Sequence, residues 1–191
     1  MKIVFVTQYN LFDPNAGGPV FKLRALSNYL TDLGHNITVI TVEKDMDASS
    51  LHGKFLSELN DSVRIISLKT LWKHRSITFN PGIFVTAWKE AKSADIIHIF
   101  GLYDLLSPIV ALIGKIRNVP YLVEPLGMFV PIIRNLLMKK IYHIVFGNWL
   151  ISNAAFLIAT SSQERNELTN SGKKLPPIKV RRNGIDLKEF E

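Results

Sequence analysis

The residues of this chain that could do chemistry lie in a few loops and two basic stretches. The first loop is Asp13-Pro14-Asn15-Ala16-Gly17-Gly18-Pro19, just after the apolar run Lys2 to Thr7. Paired glycines let backbone approach a ligand closely, and a helix opening at Pro19 offers free N–H groups and the positive end of its dipole. A phosphate or a polyhydroxylated ring fits such a corner, although a plain strand-to-helix turn uses the same residues. The spacing is neither the GxGxxG dinucleotide fingerprint nor a Walker loop, so a nicotinamide or ATP site has no motif behind it.

Two further candidates sit at the ends of apolar runs. His98 lies in Asp95-Ile96-Ile97-His98-Ile99-Phe100-Gly101, and Glu124 in Val123-Glu124-Pro125-Leu126-Gly127-Met128. A lone histidine in such a run is usually a core residue, but its place near the run's carboxyl end points toward function. Glu124 could hold a hydroxyl or an ammonium group, or cap a neighbouring helix. The five histidines are scattered, with no metal-ligand spacing and no Ser-His-Asp arrangement. The basic stretches are Arg134, Lys139, Lys140 and His143 among apolar residues, and Lys173, Lys174, Lys179, Arg181 and Arg182. The first suits a membrane surface or a core helix with a solvated basic side; the second suits phosphate or plain solvent. No nucleic-acid motif or aromatic interleaving is present, so nucleic acid is not an expected partner.

The elements that must position these residues alternate along the chain. Apolar, β-branched runs at Lys2–Thr7, Ile37–Val42, Val63–Leu68, Ile96–Phe100, Pro120–Val123, Ala155–Ala159 and Ile178–Arg181 read as strands. Between them, Val20, Leu23, Leu26, Leu30 and Leu33 recur at helical spacing, and Gly34 supplies the stop. Asn80-Pro81 predicts an N-cap and first residue of a helix to about Ser93. Further helices are expected over Leu105–Ile116 and Pro131–Ser152, and Ser161-Ser162-Gln163-Glu164 reads as a capping box. Residues 44–60 and 69–79 are expected as loops or short helices. The fold class is therefore α/β, a doubly wound parallel sheet of about seven strands with helices on both faces. Ligands then bind beyond the carboxyl ends of the strands, where the strand order reverses.

Composition sets the outer bounds. The 191 residues are 47% hydrophobic and 20% charged, enough apolar content for a sizeable core and against disorder. Lys and Arg exceed Asp and Glu by 23 − 16 = +7, which suits anionic partners without choosing among them. The absence of cysteine excludes disulfide scaffolds, cysteine nucleophiles and thiolate metal sites, and fits a reducing, cytoplasmic compartment. Ile141–Gln163 lacks formal charge and is long enough to span a bilayer, but its polar residues favour a buried helix followed by a strand. A soluble chain is expected, with peripheral contact at the inner membrane face.

Taken in order, five segments resemble the N-terminal, acceptor-side domain of a family 4 glycosyltransferase. They are Gly17-Gly18-Pro19 with Leu33-Gly34-His35 before Ile37-Thr38-Val39; Asp95-Ile96-Ile97-His98-Ile99; Pro120-Tyr121-Leu122-Val123 with Gly127-Met128-Phe129; Ser161-Ser162-Gln163-Glu164; and Val180-Arg181-Arg182-Asn183-Gly184-Ile185-Asp186 to Phe190. The resemblance runs from Met1 to Phe190. It implies a Rossmann-like half of the two-domain GT-B fold and metal-free transfer of a sugar from a nucleotide-sugar donor to a hydroxyl acceptor, with retention. No cofactor is expected; the acceptor is a sugar or lipid-linked sugar.

By the same resemblance His98 is the expected catalytic residue, with Gly17, Gly18, Glu124, Gly127, Asn183 and Gly184 binding substrate or donor. Two positions depart from the family pattern: Phe100 replaces a second histidine, and Leu126 a His or Arg before the glycine. Residues 1–182 are expected to form the N-terminal domain and 183–191 the start of an interdomain linker. The partner is then a C-terminal donor domain of the same protein, without which the chain is expected to be inactive. A stand-alone sugar-binding or partner-dependent non-catalytic module is the alternative.

Overall fold

A computed structural model describes residues 1–11, 17–43, 59–74, 77–130 and 136–182. In chain order the elements are β1 (Lys2–Thr7), α1 (Gly18–Asp32), β2 (Asn36–Val42), β3 (Arg64–Leu68), β4 (Trp72–His74), β5 (Ile77–Phe79) and α2 (Gly82–Ala91). They continue with β6 (Ile96–Phe100), α3 (Leu106–Ile116), β7 (Tyr121–Glu124), α4 (Leu136–Tyr142), a π-helical turn (His143–Gly147) and α5 (Asn148–Ser152). The last described are β8 (Phe156–Ala159), α6 (Ser162–Thr169) and β9 (Ile178–Val180).

All seven expected strands join one parallel sheet in the order β3-β2-β1-β6-β7-β8-β9. Its two faces explain the continuous apolar runs. Val4, Val6, Ile97, Ile99 and Val123 pack beneath α2, α3 and α5, while Ile3, Phe5, Ile37, Val39 and Phe100 pack against Val20 and Leu23 of α1. α1 ends in paired bonds, Gly34 N–H to Thr31 O at 2.8 Å and His35 N–H to Leu30 O at 3.0 Å, which satisfy its last carbonyls. Ser161 caps α6, its Oγ accepting the Glu164 N–H at 3.1 Å.

Two local expectations change. Asn80 does not cap α2 with its side chain; Pro81 holds the cap position. Instead the Asn80 amide donates to Leu68 O, Lys69 O and Thr70 Oγ1, tying the end of β3 to the start of α2. Within 69–79, β4 and β5 form an antiparallel hairpin, pairing Trp72 with Phe79. Each strand is too short for period-two alternation to show in sequence. Of residues 44–60, all but the last two lie outside the described residues.

The helix expected over 131–152 is described from Leu136, and a π turn interrupts it. His143 lies so close over Gly147 that a Cβ there would sit 2.8 Å from Nδ1. Its buried residues are Tyr142, His143, Gly147, Leu150 and Ile151. Its outward side carries exposed Lys140, as expected, but also the exposed apolar Leu137, Ile141, Ile144 and Val145. Among the described residues no helix is long and apolar enough to cross a membrane, and Ile141–Gln163 divides into helix and strand.

Candidate functional site

β1 lies between β2 and β6, so the sheet's order reverses beside its carboxyl end. Register carries the candidate residues there. Phe5, His98 and Leu122 form one row across β1, β6 and β7, and Thr7, Phe100 and Glu124 form the next, nearer the rim. His98 and Phe100, two residues apart on one face, stack at 4.0 Å between centroids. Phe5 meets both rings edge-on.

Glu124 is the centre of the cluster and is fully buried. It is neither a helix cap nor a free carboxylate. Lys22 of α1 forms an ion pair with its Oε1. Arg181, just past β9, approaches Oε2 at 2.5 Å. His98 Nε2 lies 3.3 Å from the same oxygen. Burial alone would raise the Glu124 pKa; His98, the Arg181 guanidinium and Lys22 outweigh it and hold the carboxyl below its usual range. Burial lowers the pKa of His98, against the pull of Glu124, and keeps the ring neutral. One carboxylate against two cations leaves one net positive charge.

Above this cluster Gly17 takes the N-cap of α1 at φ 64° and ψ −154°, backbone that is essentially restricted to glycine. Among the described residues a Cβ on Gly17 or on Gly18 would meet no atom within 4 Å, which leaves this corner open on their side. No side chain among the described residues caps α1, and its first turn carries no acid. The corner therefore offers positive dipole, free space and, one turn on, Lys22.

Gly127 belongs to a neighbouring turn in which Leu126 and Gly127 are both left-handed (φ 58° and 75°) and Met128 N–H reaches Pro125 O at 3.1 Å. Glu164 secures that turn. Its buried carboxylate accepts the Gly127 N–H at 2.6 Å, the Thr160 N–H at 2.7 Å and the Thr160 hydroxyl at 2.8 Å. The Gly127 amide is thus already engaged, and what the residue leaves to a ligand is the open space over its Cα. Asn183 and Gly184 lie outside the described residues.

Sequence reasoning missed Lys22 and the inward turn of Arg181. Lys22 directly precedes the buried Leu23 on α1, a signal that becomes readable only once the helix's packed side is known. The second basic stretch does not act as one patch. Arg181 turns to Glu124, Lys173 donates to Asn148 and lies over Phe129, and Lys179 lies over Phe156.

A second buried group lies nearby. Tyr103 (φ 67°) donates its hydroxyl to Met128 O at 2.8 Å and meets His143 Nε2 at 2.9 Å. With its proton given to Met128, the hydroxyl accepts from Nε2–H, which leaves Nδ1 unprotonated, facing Gly147. Burial, then Lys173, lowers the His143 pKa.

These shifts predict an acid-sensitive fold. His98 and His143 titrate lower in the folded state than unfolded, so their contribution is complete above pH about 6.5 and is lost as pH falls below it. Glu124 acts in the same direction at lower pH; buried Asp104, shifted upward by burial, acts oppositely. The guanidinium midpoint should fall from pH 7.5 to 5.5, and His98→Phe should flatten the slope. A midpoint that rises over that range contradicts both histidine assignments.

A seven-stranded parallel sheet with this rim is a Rossmann-like half of the GT-B architecture, as superposition on solved enzymes shows. HepE from Anabaena, solved with UDP and glucose, aligns at a TM-score of 0.67 and 15% identity, over 98% of this chain and 46% of its own. Sucrose-phosphate synthase from Thermosynechococcus elongatus aligns at 0.59 and 16%, over 98% and 49%. MurG from Acinetobacter baumannii aligns at 0.51 and 13%, over 99% and 48%. This chain thus spans about half the length of these solved structures. The model of Glycosyltransferase Family 4 matches residues 16–189, and the chain belongs to that family as its N-terminal domain. No curated protein sequence matches it significantly.

Proposed function

We propose that this chain is the acceptor-side half of a glycosyltransferase that moves a sugar from a nucleotide-sugar donor to a hydroxyl of a sugar or lipid-linked sugar acceptor. Retention at the anomeric carbon and independence of metal are part of the reading. The observation that carries it is the family match over residues 16–189, which opens at the Gly17–Gly18 corner above the Glu124 cluster. HepE, similar in fold, has been solved with UDP-glucose, which supports a nucleotide-sugar donor. On this reading the donor diphosphate approaches the open side of Gly17 and Gly18, where the α1 dipole and the surplus cation favour negative charge. His98, buried and neutral, acts as a positioning residue that packs against Glu124. The compartment is cytoplasmic, with peripheral contact at the membrane's inner face.

A departing diphosphate needs stabilisation as its charge develops. The family resemblance assigns that clamp to a C-terminal domain, so these 191 residues should bind without transferring. The test compares the purified chain with the same chain joined to a C-terminal donor domain, each given UDP-glucose and sugar acceptors. Transfer is expected only from the joined protein. Turnover by the 191 residues alone overturns the division of labour. Sugar binding with no donor affinity and no transfer by either protein replaces the enzyme with a non-catalytic sugar-binding module.

A further inference from the structure

We infer that α4 and the π turn dock this chain on an anionic membrane surface through one stripe of outward-facing apolar side chains. Leu137 is 72% exposed, Ile144 75% and Val145 56%, with Ile141 at 46% beside them. Spacings of three and four residues place Leu137, Ile141 and Ile144 along one side of the helix. Tyr142, His143 and Gly147 face the core on the other side. A surface helix normally turns its polar face to water; this one turns mostly apolar side chains outward, with Lys140 among them.

The charge around the stripe names its occupant. No Asp or Glu occurs between Glu124 and Glu164, whereas Lys139 and Lys140 fall within α4. Lys139 lies over the Tyr103 ring at 5.3 Å, and Lys140 is exposed at the stripe's edge. Four residues past Ile144, the same line reaches Asn148 and then Ser152, which line a groove with Lys173 and Lys174. Apolar side chains flanked by cations, on a segment without acids, match lipid acyl chains beneath anionic headgroups. A second copy meeting this one through the same stripe would instead set lysines against lysines.

The apolar side chains would enter the headgroup boundary while the lysines stay at its surface. This docking is the membrane contact proposed above given a surface, and vesicle binding does not depend on sugar transfer, so the two readings fail separately. The test is co-sedimentation of the purified chain with vesicles of phosphatidylcholine alone and of phosphatidylcholine mixed with phosphatidylglycerol. Binding is expected to the mixed vesicles only and to weaken with added salt.

Leu137→Ser with Ile144→Ser should reduce partitioning about tenfold or more, from the lost apolar burial. Because both residues are exposed, the thermal midpoint should stay unchanged. Lys140→Glu should weaken binding without altering it elsewhere. Val85→Ser, on the separate exposed apolar face of α2, should leave it intact. Absence of binding, equal binding to both vesicles, or a loss from Val85→Ser matching that of the double variant overturns the inference. So does self-association that the double variant abolishes, which would make the occupant a second copy.

Discussion

Replacing Glu124 with alanine should destabilise this domain more than any other single change at the rim. Among the described residues the substitution removes the only carboxylate contacting Lys22 and Arg181, and Lys22's side chain is 8% exposed. Breaking a buried ion pair from one side costs about 3–5 kcal/mol, because a charge is left without its partner in a poor solvent for it. For a chain of this size that lowers Tm by roughly 10 °C. Glu124→Gln keeps the shape but not the charge, and should recover only part of the loss. The sharper check is a double-mutant cycle with Lys22→Met. Once Glu124 is gone, removing the lysine should be neutral or stabilising, whereas in the native background it should be destabilising. Additive effects of the two changes would mean that the Lys22–Glu124 contact contributes nothing.

The second large effect is expected at Glu164, through hydrogen bonds rather than charge pairing. Its two oxygens take three protons, from the Gly127 amide and from the amide and hydroxyl of Thr160. Alanine leaves those donors unsatisfied beside a buried position, at a cost of about 3 kcal/mol. Glutamine is not a rescue. Both oxygens accept from backbone N–H groups, so an amide nitrogen would face a donor whichever way it turned. Glu164→Gln should therefore recover half of the loss at most. Hydrogen exchange adds a local readout: the Gly127 and Thr160 amides should lose protection in Glu164→Ala while the β1 and β6 amides keep theirs. Uniform loss of protection would show a general weakening of the fold instead.

The legible and illegible parts of this molecule divide along physical lines. Strands could be read because a parallel sheet covered on both faces demands uninterrupted apolar runs, and Lys2–Thr7 or Ile96–Phe100 can hardly serve otherwise. Their carboxyl ends then placed Gly17, His98 and Glu124 on one rim before any coordinates. The state of those residues was not legible. Whether Glu124 is a free base or a locked anion depends on Lys22 and Arg181, which lie 102 and 57 residues away in sequence. Ser161 and Glu164 announced a cap, but the carboxylate's reach to the Gly127 turn is a tertiary fact. Asn80 misled because asparagine before proline suits a helix cap, while here three oxygens on the β3 side compete successfully for its amide. Phe100 and Leu126 depart from the family's polar residues at places where both now pack with the α1 side of the core.

The π turn has a consequence of phase. In an uninterrupted α-helix, inward positions following Tyr142 and His143 would recur at Phe146 and Trp149 as readily as at Gly147 and Leu150. Here Phe146 is 36% exposed, while Gly147, Leu150 and Ile151 are buried. The turn holds one residue more than α-helical winding needs, so α5 is rotated about its axis relative to α4 without any loop between them. The two segments run as one rod but keep separate azimuths. One segment can aim its surplus side chains outward while the other stays seated on the sheet, and only a residue without a side chain at 147 lets the rod twist that tightly under His143.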